Sequence, residues 1–271
     1  MPDWAGQQRA LNRQTSANWG LYASHRKILT HLLGVGGTGM RLCVLGAGNC
    51  NDLDLEALSA WYSEITLVDL DLEAVTQAVE RQPATVRRLL RVRAPVEFGA
   101  FEQAISSSHG GGADPQALAA MVAEEIGERE FDAVCSACVL SQLIDALAQR
   151  FRSEPERCLS LVQLTRSIHL HLIVQLLRAG GRGLLVSDLV SSDTAPVLLS
   201  APASGLSQLM SKFIAEKNFF TGLNPFAITA VLKSDAQLAP RVARVVLHAP
   251  WRWQLAARRV YLTFACSFQR A

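Results

Sequence analysis

The residues whose chemistry is easiest to read lie in Arg41–Asp52, RLCVLGAGNCND, where an apolar run stops at Gly46-Ala47-Gly48 and small polar residues follow. A strand that turns through glycines into a helix brings bare backbone N–H groups, and the positive end of a helix dipole, up against a ligand. The stretch therefore reads as a nucleotide-cofactor cradle. A second apolar run, EITLVDLD from Glu64 to Asp71, reaches Asp69, at roughly the 20-residue spacing that lets an acid meet ribose hydroxyls. The third glycine of a G-x-G-x-x-G fingerprint is replaced by Asn51, with Asn49 and Asp52 beside it. Asp52 would repel a dinucleotide's pyrophosphate, whereas acceptors at this bend favour an ammonium or a sulfonium.

Two later segments extend the pattern. Phe131–Leu143, FDAVCSACVLSQL, reads as a fourth strand ending at Ser136, Ala137 and Cys138, and Leu176–Val190, LLRAGGRGLLVSDLV, reads as helix, glycine turn and fifth strand. With these in place the chain resembles the class I S-adenosylmethionine-dependent methyltransferases over roughly residues 41 to 190, with a plausible C-terminal strand pair of the same fold. The resemblance implies that Gly46, Ala47, Gly48, Asn49 and Asp52 line the methionine end of S-adenosyl-L-methionine. It implies further that Asp69 holds the ribose, that Leu70 packs on adenine, and that Ser136, Ala137 and Cys138 lie below the sulfonium. Many members of the family place an Asp after the third strand for the adenine amino group. Val96–Glu102 has none at that turn, and Phe101 is the residue expected to stack on adenine instead.

The elements that must position these residues alternate strand and helix, which predicts a doubly wound α/β fold. The expected sheet is mostly parallel and seven-stranded, with a C-terminal antiparallel hairpin and an N-terminal helical lid. Strands are expected near 41–46, 64–69, 92–98, 131–137 and 183–189, and helices near 52–62, 71–82, 115–127, 140–150 and 160–179. Residues 1–40 read as a loose arm to about residue 17 followed by a lid helix, WGLYASHRKILTHLL, and 41–271 as the α/β domain. Residues 191–240, rich in Ser, Ala, Pro and Gly, read as a loop and helix inserted over the active site, with Asn224-Pro225 as a helix start. Val242–His248 and Arg259–Ser267 are the expected hairpin strands, flanking a loop that carries Trp251-Arg252-Trp253. Gly34–Gly39, GVGGTG, matches the glycine fingerprint as a string but follows a helix and precedes a strand, so it reads as a connector.

Composition narrows the function class. At 271 residues, 49% hydrophobic and 18% charged, the chain can bury one large core and is not a disordered protein. No signal core and no apolar run of about 18 residues is present, so no membrane insertion and a cytoplasmic location are expected. Six cysteines lie mostly within expected strands, which suits reduced, buried thiols. Cys135-x-x-Cys138 lacks the second pair a four-cysteine zinc site requires, so no metal is assigned. The net charge of +2 gives no reason to expect DNA, while Arg87, Arg88, Arg91 and Arg93 leave RNA open as a partner.

Methyl transfer is an in-line displacement that needs alignment and exclusion of water rather than a covalent side-chain intermediate. A small-molecule methyl acceptor, or a lipid headgroup or peptide, is the expected substrate. His25 is the candidate base, with Tyr22 beside it, and His248 and Asp188 are weaker candidates. Tyr22 and Arg26 stand at i and i+4 on the lid helix, and Arg26 is the expected clamp for the methionine carboxylate. Trp251 and Trp253, then Phe220 and Asn224, are the expected acceptor-side residues, since aromatic faces attract ammonium groups. Three alternatives remain open: an RNA methyltransferase, an NAD(P)-dependent oxidoreductase, and a non-catalytic cofactor-binding partner protein.

Overall fold

The computed structural model describes residues 4–34, 36–98, 113–127 and 129–271. Its frame is an eight-stranded sheet of β1 (Met40–Leu45), β2 (Tyr62–Val68), β3 (Leu90–Arg93), β4 (Phe131–Ala137), β5 (Leu177–Ser191), β6 (Val242–Leu247), β7 (Trp251–Ala256) and β8 (Arg259–Arg270). The order is β3-β2-β1-β4-β5-β8-β6, with β7 paired to β8 off that path. The first five strands pair in parallel, and β8 runs antiparallel to β5 from Tyr261 to Gln269. The inner strands are near-continuous apolar runs because helices cover both faces of the sheet. Leu42–Leu45 and Ile65–Val68 are accordingly buried along their length.

Ten α-helices are present among the described residues: α1 (Trp4–Thr15), α2 (Ala23–Leu33), α3 (Leu55–Leu58), α4 (Leu72–Glu80), α5 (Ala84–Arg87), α6 (Pro115–Ile126), α7 (Val139–Arg150), α8 (Pro155–Leu176), α9 (Leu206–Ala215) and α10 (Pro225–Ser234). Their starts follow local chemistry. The Asp71 side chain accepts from the Ala74 N–H at 3.2 Å, and Asp114 accepts from the Gln116 N–H at 2.9 Å ahead of Pro115. Such caps satisfy N–H groups that a helix start otherwise leaves unpaired. One apolar core lies between the sheet and α6, α7, α8 and α10, and the other lies under α2, α3 and α4.

Several expectations require correction. The arm before residue 17 is helix α1, built from good helix formers in WAGQQRALNRQT. The helix expected over 52–62 is the single turn α3, capped by Asp54, whose side chain accepts from the Ala57 N–H. The third strand ends at Arg93, not near residue 98. The sheet has eight strands because the first strand of the C-terminal hairpin is broken at Ala249-Pro250, where proline has no N–H to give a ladder. β6 pairs with the far half of β8, and β7, which contains Trp251 and Trp253, pairs with the near half. These tryptophans therefore stand on a strand and not on a loop.

Gly183 on β5 lies under the Phe268 ring, and a Cβ there would come within 2.5 Å of it. Phe268 is fully buried, so Gly183→Ala should cost about 1–3 kcal/mol by overpacking, read as a lower urea midpoint with unchanged slope.

Candidate active site

The crevice opens at the carboxyl ends of β1, β2 and β4, where open α/β sheets place their ligands. Its floor is the bend after β1. Gly46 has φ +78°, and a Cβ there would stand 2.2 Å from Val139 Cγ2 and 3.2 Å from the Ala137 carbonyl. Only glycine fits that backbone shape and that gap. The Gly46 and Ala47 N–H groups both donate to the Val68 carbonyl, at 2.9 and 3.1 Å, which hooks the bend over the end of β2. Asp69 completes the joint: one carboxylate oxygen accepts from the Gly48 N–H and the other from the Asp71 N–H, each at 2.8 Å. Burial raises the Asp69 pKa, and these backbone hydrogen bonds work against that shift.

Helix α1 closes the crevice from above. Asn12 donates to Asp71 at 3.0 Å, the Asn49 amide donates to the Asn12 carbonyl at 2.6 Å, and the Asn51 amide donates to the Thr15 carbonyl at 2.8 Å. Asn49 and Asn51 thus anchor the covering helix. Gln8, Leu11, Asn12 and Thr15 join the wall, with Gln142 from α7 and Leu255 from β7. Sequence reading missed all six. The usable signal was a run without proline or glycine from Gln7 to Thr15, long enough for a helix but carrying no chemical motif.

Of the residues expected to meet the cofactor, Gly46, Ala47, Gly48, Asn49, Asp52 and Asp69 line the crevice. So do Leu70, Ala137 and Cys138, together with Tyr22 and Trp253 from the catalytic and acceptor sets. Phe101 lies outside the described residues. Ser136 does not face the crevice: its hydroxyl is within 2.7 Å of His169 Nε2 in the opposite core. The alternation of side chains along β4 sends it there. Asn224 caps α10 by accepting from the Phe226 N–H at 2.9 Å, and Phe220 packs on Tyr261 at 6.1 Å, neither lining the crevice.

Arg26 is also displaced from its expected role. Its guanidinium donates to the carbonyls of Trp19 and Asn51, both at 2.9 Å, and stacks 3.4 Å over the Trp19 ring. It faces a separate surface hollow with Ala23, Lys27 and Trp61. Tyr22 is the N-cap of α2 and its carbonyl accepts from the Arg26 N–H at 2.8 Å, so the pair keeps its i, i+4 relation although the two side chains serve different surroundings.

His25 is 1% exposed and accepts a hydrogen bond at Nδ1 from the Trp251 indole N–H at 3.0 Å. That acceptor role puts the ring proton on Nε2, which lies 3.5 Å from Asp52 Oδ1. Burial, then the charge of Arg26, lowers the His25 pKa to about 3, so the ring is neutral and the contact is not an ion pair. With its basic nitrogen occupied by Trp251, and with Nε2 making no hydrogen bond to Asp52, His25 is not placed as the base. Burial, then the nearby Asp52 charge, pushes the Tyr22 phenol well above its ordinary value, so it stays protonated.

Two carboxylates dominate the electrostatics. Burial, then the charge of Asp188, raises the Asp52 pKa to about 7, with Arg26 offsetting this in part. Asp188, at the end of β5, is also raised to about 7 by burial, although it accepts from Thr263 at 3.2 Å, Ser141 at 3.2 Å and the Cys138 thiol at 3.7 Å. Every Lys and Arg of the chain falls within the described residues, and none lines the crevice.

No protein-family model matches the chain, and no curated protein matches it by sequence. Among solved structures it is similar to an rRNA methylase from Streptococcus thermophilus, at 11% identity over 88% of this chain and 91% of that one, with a TM-score of 0.42. It is similar to an O-methyltransferase family protein from Burkholderia thailandensis, at 13% identity over 97% and 59% of the two chains, TM-score 0.45. A geranyl diphosphate C-methyltransferase from Streptomyces coelicolor, in complex with Mg2+, geranyl diphosphate and S-adenosyl-L-homocysteine, gives 12% identity over 92% and 79%, TM-score 0.44. The sheet order and the crevice at its carboxyl edge define a Rossmann-like α/β fold, the architecture expected from the resemblance read in the sequence. No helix among the described residues is long and apolar enough to cross a membrane.

The Asp52 shift sets a pH test. Its native pKa, about 7, lies above the ordinary 3.8. The folded state therefore holds more protons between those values, and stability falls as pH rises through that window. Asn is neutral throughout, so Asp52→Asn should raise Tm more at pH 8 than at pH 5, with a differential on the order of 1–3 kcal/mol. Equal shifts at both pH values would show that Asp52 ionises without cost.

Proposed function

We propose that the chain is an S-adenosyl-L-methionine-dependent methyltransferase acting on a small molecule. The observation that carries this reading is a glycine-bend crevice that presents Asp52 and Asp69 and no Lys or Arg. A diphosphate brought there would meet two like charges, whereas a sulfonium with an α-ammonium group would meet their complement. The same charge argument sets the nicotinamide reading aside. RNA is disfavoured as acceptor because the arginines between residues 87 and 93 lie outside the crevice, with Arg91 engaged to Glu64 at 3.4 Å.

Asp69 supplies acceptor capacity for ribose hydroxyls while its backbone bonds fix the carboxylate. Gly46 and Gly48 let the ligand approach the main chain. Leu70 and Phe98 offer apolar surface to an adenine ring, and the amides of Gln8 and Gln142 offer neutral donors to a carboxylate. The bound donor supplies an electrophilic methyl group on a positive sulfur. The protein's part is alignment and desolvation, and α1 serves the second by covering the bend. Its polar tethers to Asp71, Asn49 and Asn51 hold α1 over the bend.

Calorimetry decides between donors. S-adenosyl-L-homocysteine should bind and NADH should not, and Asp69→Ala should weaken the first at least tenfold, about 1.4 kcal/mol. Binding of NADH alone, or unchanged affinity in Asp69→Ala, would overturn the reading. Asn12→Ala removes the α1 tether to Asp71 and should raise proteolytic cleavage of α1 in the free protein, with protection restored by S-adenosyl-L-homocysteine. Wild-type cleavage in that variant would remove the tether from the account.

A further inference from the structure

Trp251 and Trp253 stand two residues apart on β7 and share its buried face, yet their indole N–H groups are treated differently. Each tryptophan is 6% exposed. Trp251 donates to His25 Nδ1 at 3.0 Å, whereas Trp253 Nε1 has no hydrogen-bond partner. An indole N–H is a donor only, and buried polar groups are normally satisfied, so the exception calls for an acceptor.

The surrounding wall supplies none. His25 stacks on Trp253 with ring centroids 4.6 Å apart, but its acceptor nitrogen is already taken by Trp251. Tyr22 meets Trp253 edge to face at 5.2 Å, and Tyr261 lies tilted at 5.7 Å, so the neighbours that hold the indole are themselves rings. Of the two tryptophans, Trp253 lines the crevice and Trp251 does not. The missing acceptor therefore belongs to what the crevice binds.

We propose that Trp253 is a specificity-determining residue whose indole N–H donates to a carbonyl oxygen of the methyl acceptor and so fixes how that molecule lies; this rests on the methyltransferase reading. Charge selects the kind of oxygen. Asp52 Oδ1 stands 3.5 Å from His25, the ring stacked on Trp253, and no Lys or Arg lines the crevice. A carboxylate or phosphate at Trp253 would meet a like charge with no cation to offset it. That argument also directs the donor's own carboxylate away from Trp253, towards the neutral amides of Gln8 and Gln142. A hydroxyl would bring a proton that needs an acceptor of its own, whereas a carbonyl only accepts. Tyr22, Leu11 and Leu255 line the same crevice and suit an apolar or aromatic frame around that carbonyl. An isostere without the oxygen leaves the N–H unpaired in a buried wall, and that penalty is the source of the selectivity.

The test follows the indole N–H itself. The chain has five tryptophans, and in a nitrogen–proton correlation spectrum Trp253→Phe identifies the indole signal that belongs to Trp253. Cross-peaks to the His25 and Tyr22 rings assign the same signal in the wild-type protein, so the test stands even where the variant does not fold. Acetophenone, benzoate and α-methylstyrene, in which a methylene replaces the carbonyl oxygen, are titrated with and without S-adenosyl-L-homocysteine. Acetophenone should move the Trp253 indole proton downfield and bind at least about fivefold tighter than either other probe. Trp253→Phe should bring acetophenone and α-methylstyrene to within about twofold of each other. A Trp253 signal unmoved by acetophenone, or moved equally by α-methylstyrene, overturns the proposal. So does a downfield shift already complete with S-adenosyl-L-homocysteine alone, which would give the N–H to the donor. Binding of S-adenosyl-L-homocysteine with no carbonyl selectivity sinks this inference and leaves the donor reading standing. Carbonyl selectivity without binding of that ligand keeps the Trp253 site and sinks the donor reading.

Discussion

The carboxylate of Asp69 is the joint on which the site depends. Its two oxygens hold the Gly48 and Asp71 N–H groups, so one side chain locks the bend after β1 to the turn after β2. A carboxylate accepting several backbone N–H bonds can remain buried without a cationic partner. The arrangement fixes the glycine backbone in the shape the crevice requires and sets Asp71 where it both caps α4 and receives Asn12 from α1. Bend, neighbouring helix and cover are thus tied through adjacent acids.

Around that joint the chain tolerates unfavourable electrostatics. Asp52 and Asp188 sit in largely apolar surroundings, and burial raises both pKa values. Such groups stabilise neither the fold nor each other when ionised, and functional clefts are where such shifts gather. Beside Asp52 the protein keeps a neutral histidine, made neutral by burial, whose Nδ1 accepts from the Trp251 indole and whose Nε2 stands 3.5 Å from the carboxylate. A charged histidine there would cancel the negative charge that distinguishes the crevice.

Much of the frame was legible. Apolar runs, ending in glycine at β1 and in an acid at β2, placed β1, β2 and β4 within a few residues, because strands buried on both faces must be apolar throughout. The crevice residues carried by those runs, from Gly46 to Asp52 and at Asp69, were legible for the same reason. Ser136 was misplaced because consecutive strand residues alternate faces and the run Cys135–Cys138 offers no polarity difference to choose between them. Arg26 was misplaced because its guanidinium is taken up by the Trp19 and Asn51 carbonyls, partners that helical spacing does not report. α1 read as a loose arm because what holds it are Asn49 and Asn51 donating to its Asn12 and Thr15 carbonyls, and sequence periodicity does not report such partners.

By itself, the sequence determined the parallel α/β class, the strand that ends in a glycine bend and the acid that answers it, since these follow from local pattern and short spacing. Only the tertiary structure decided that α1 covers the bend, that the last strands divide at Ala249-Pro250, and that Trp251 donates to a buried His25 beside Asp52. The physical reason is separation along the chain. His25 and Trp251 lie 226 residues apart, and whether a histidine is a base or a neutral strut depends on which group donates to it and how deeply it is buried, neither of which a local pattern encodes.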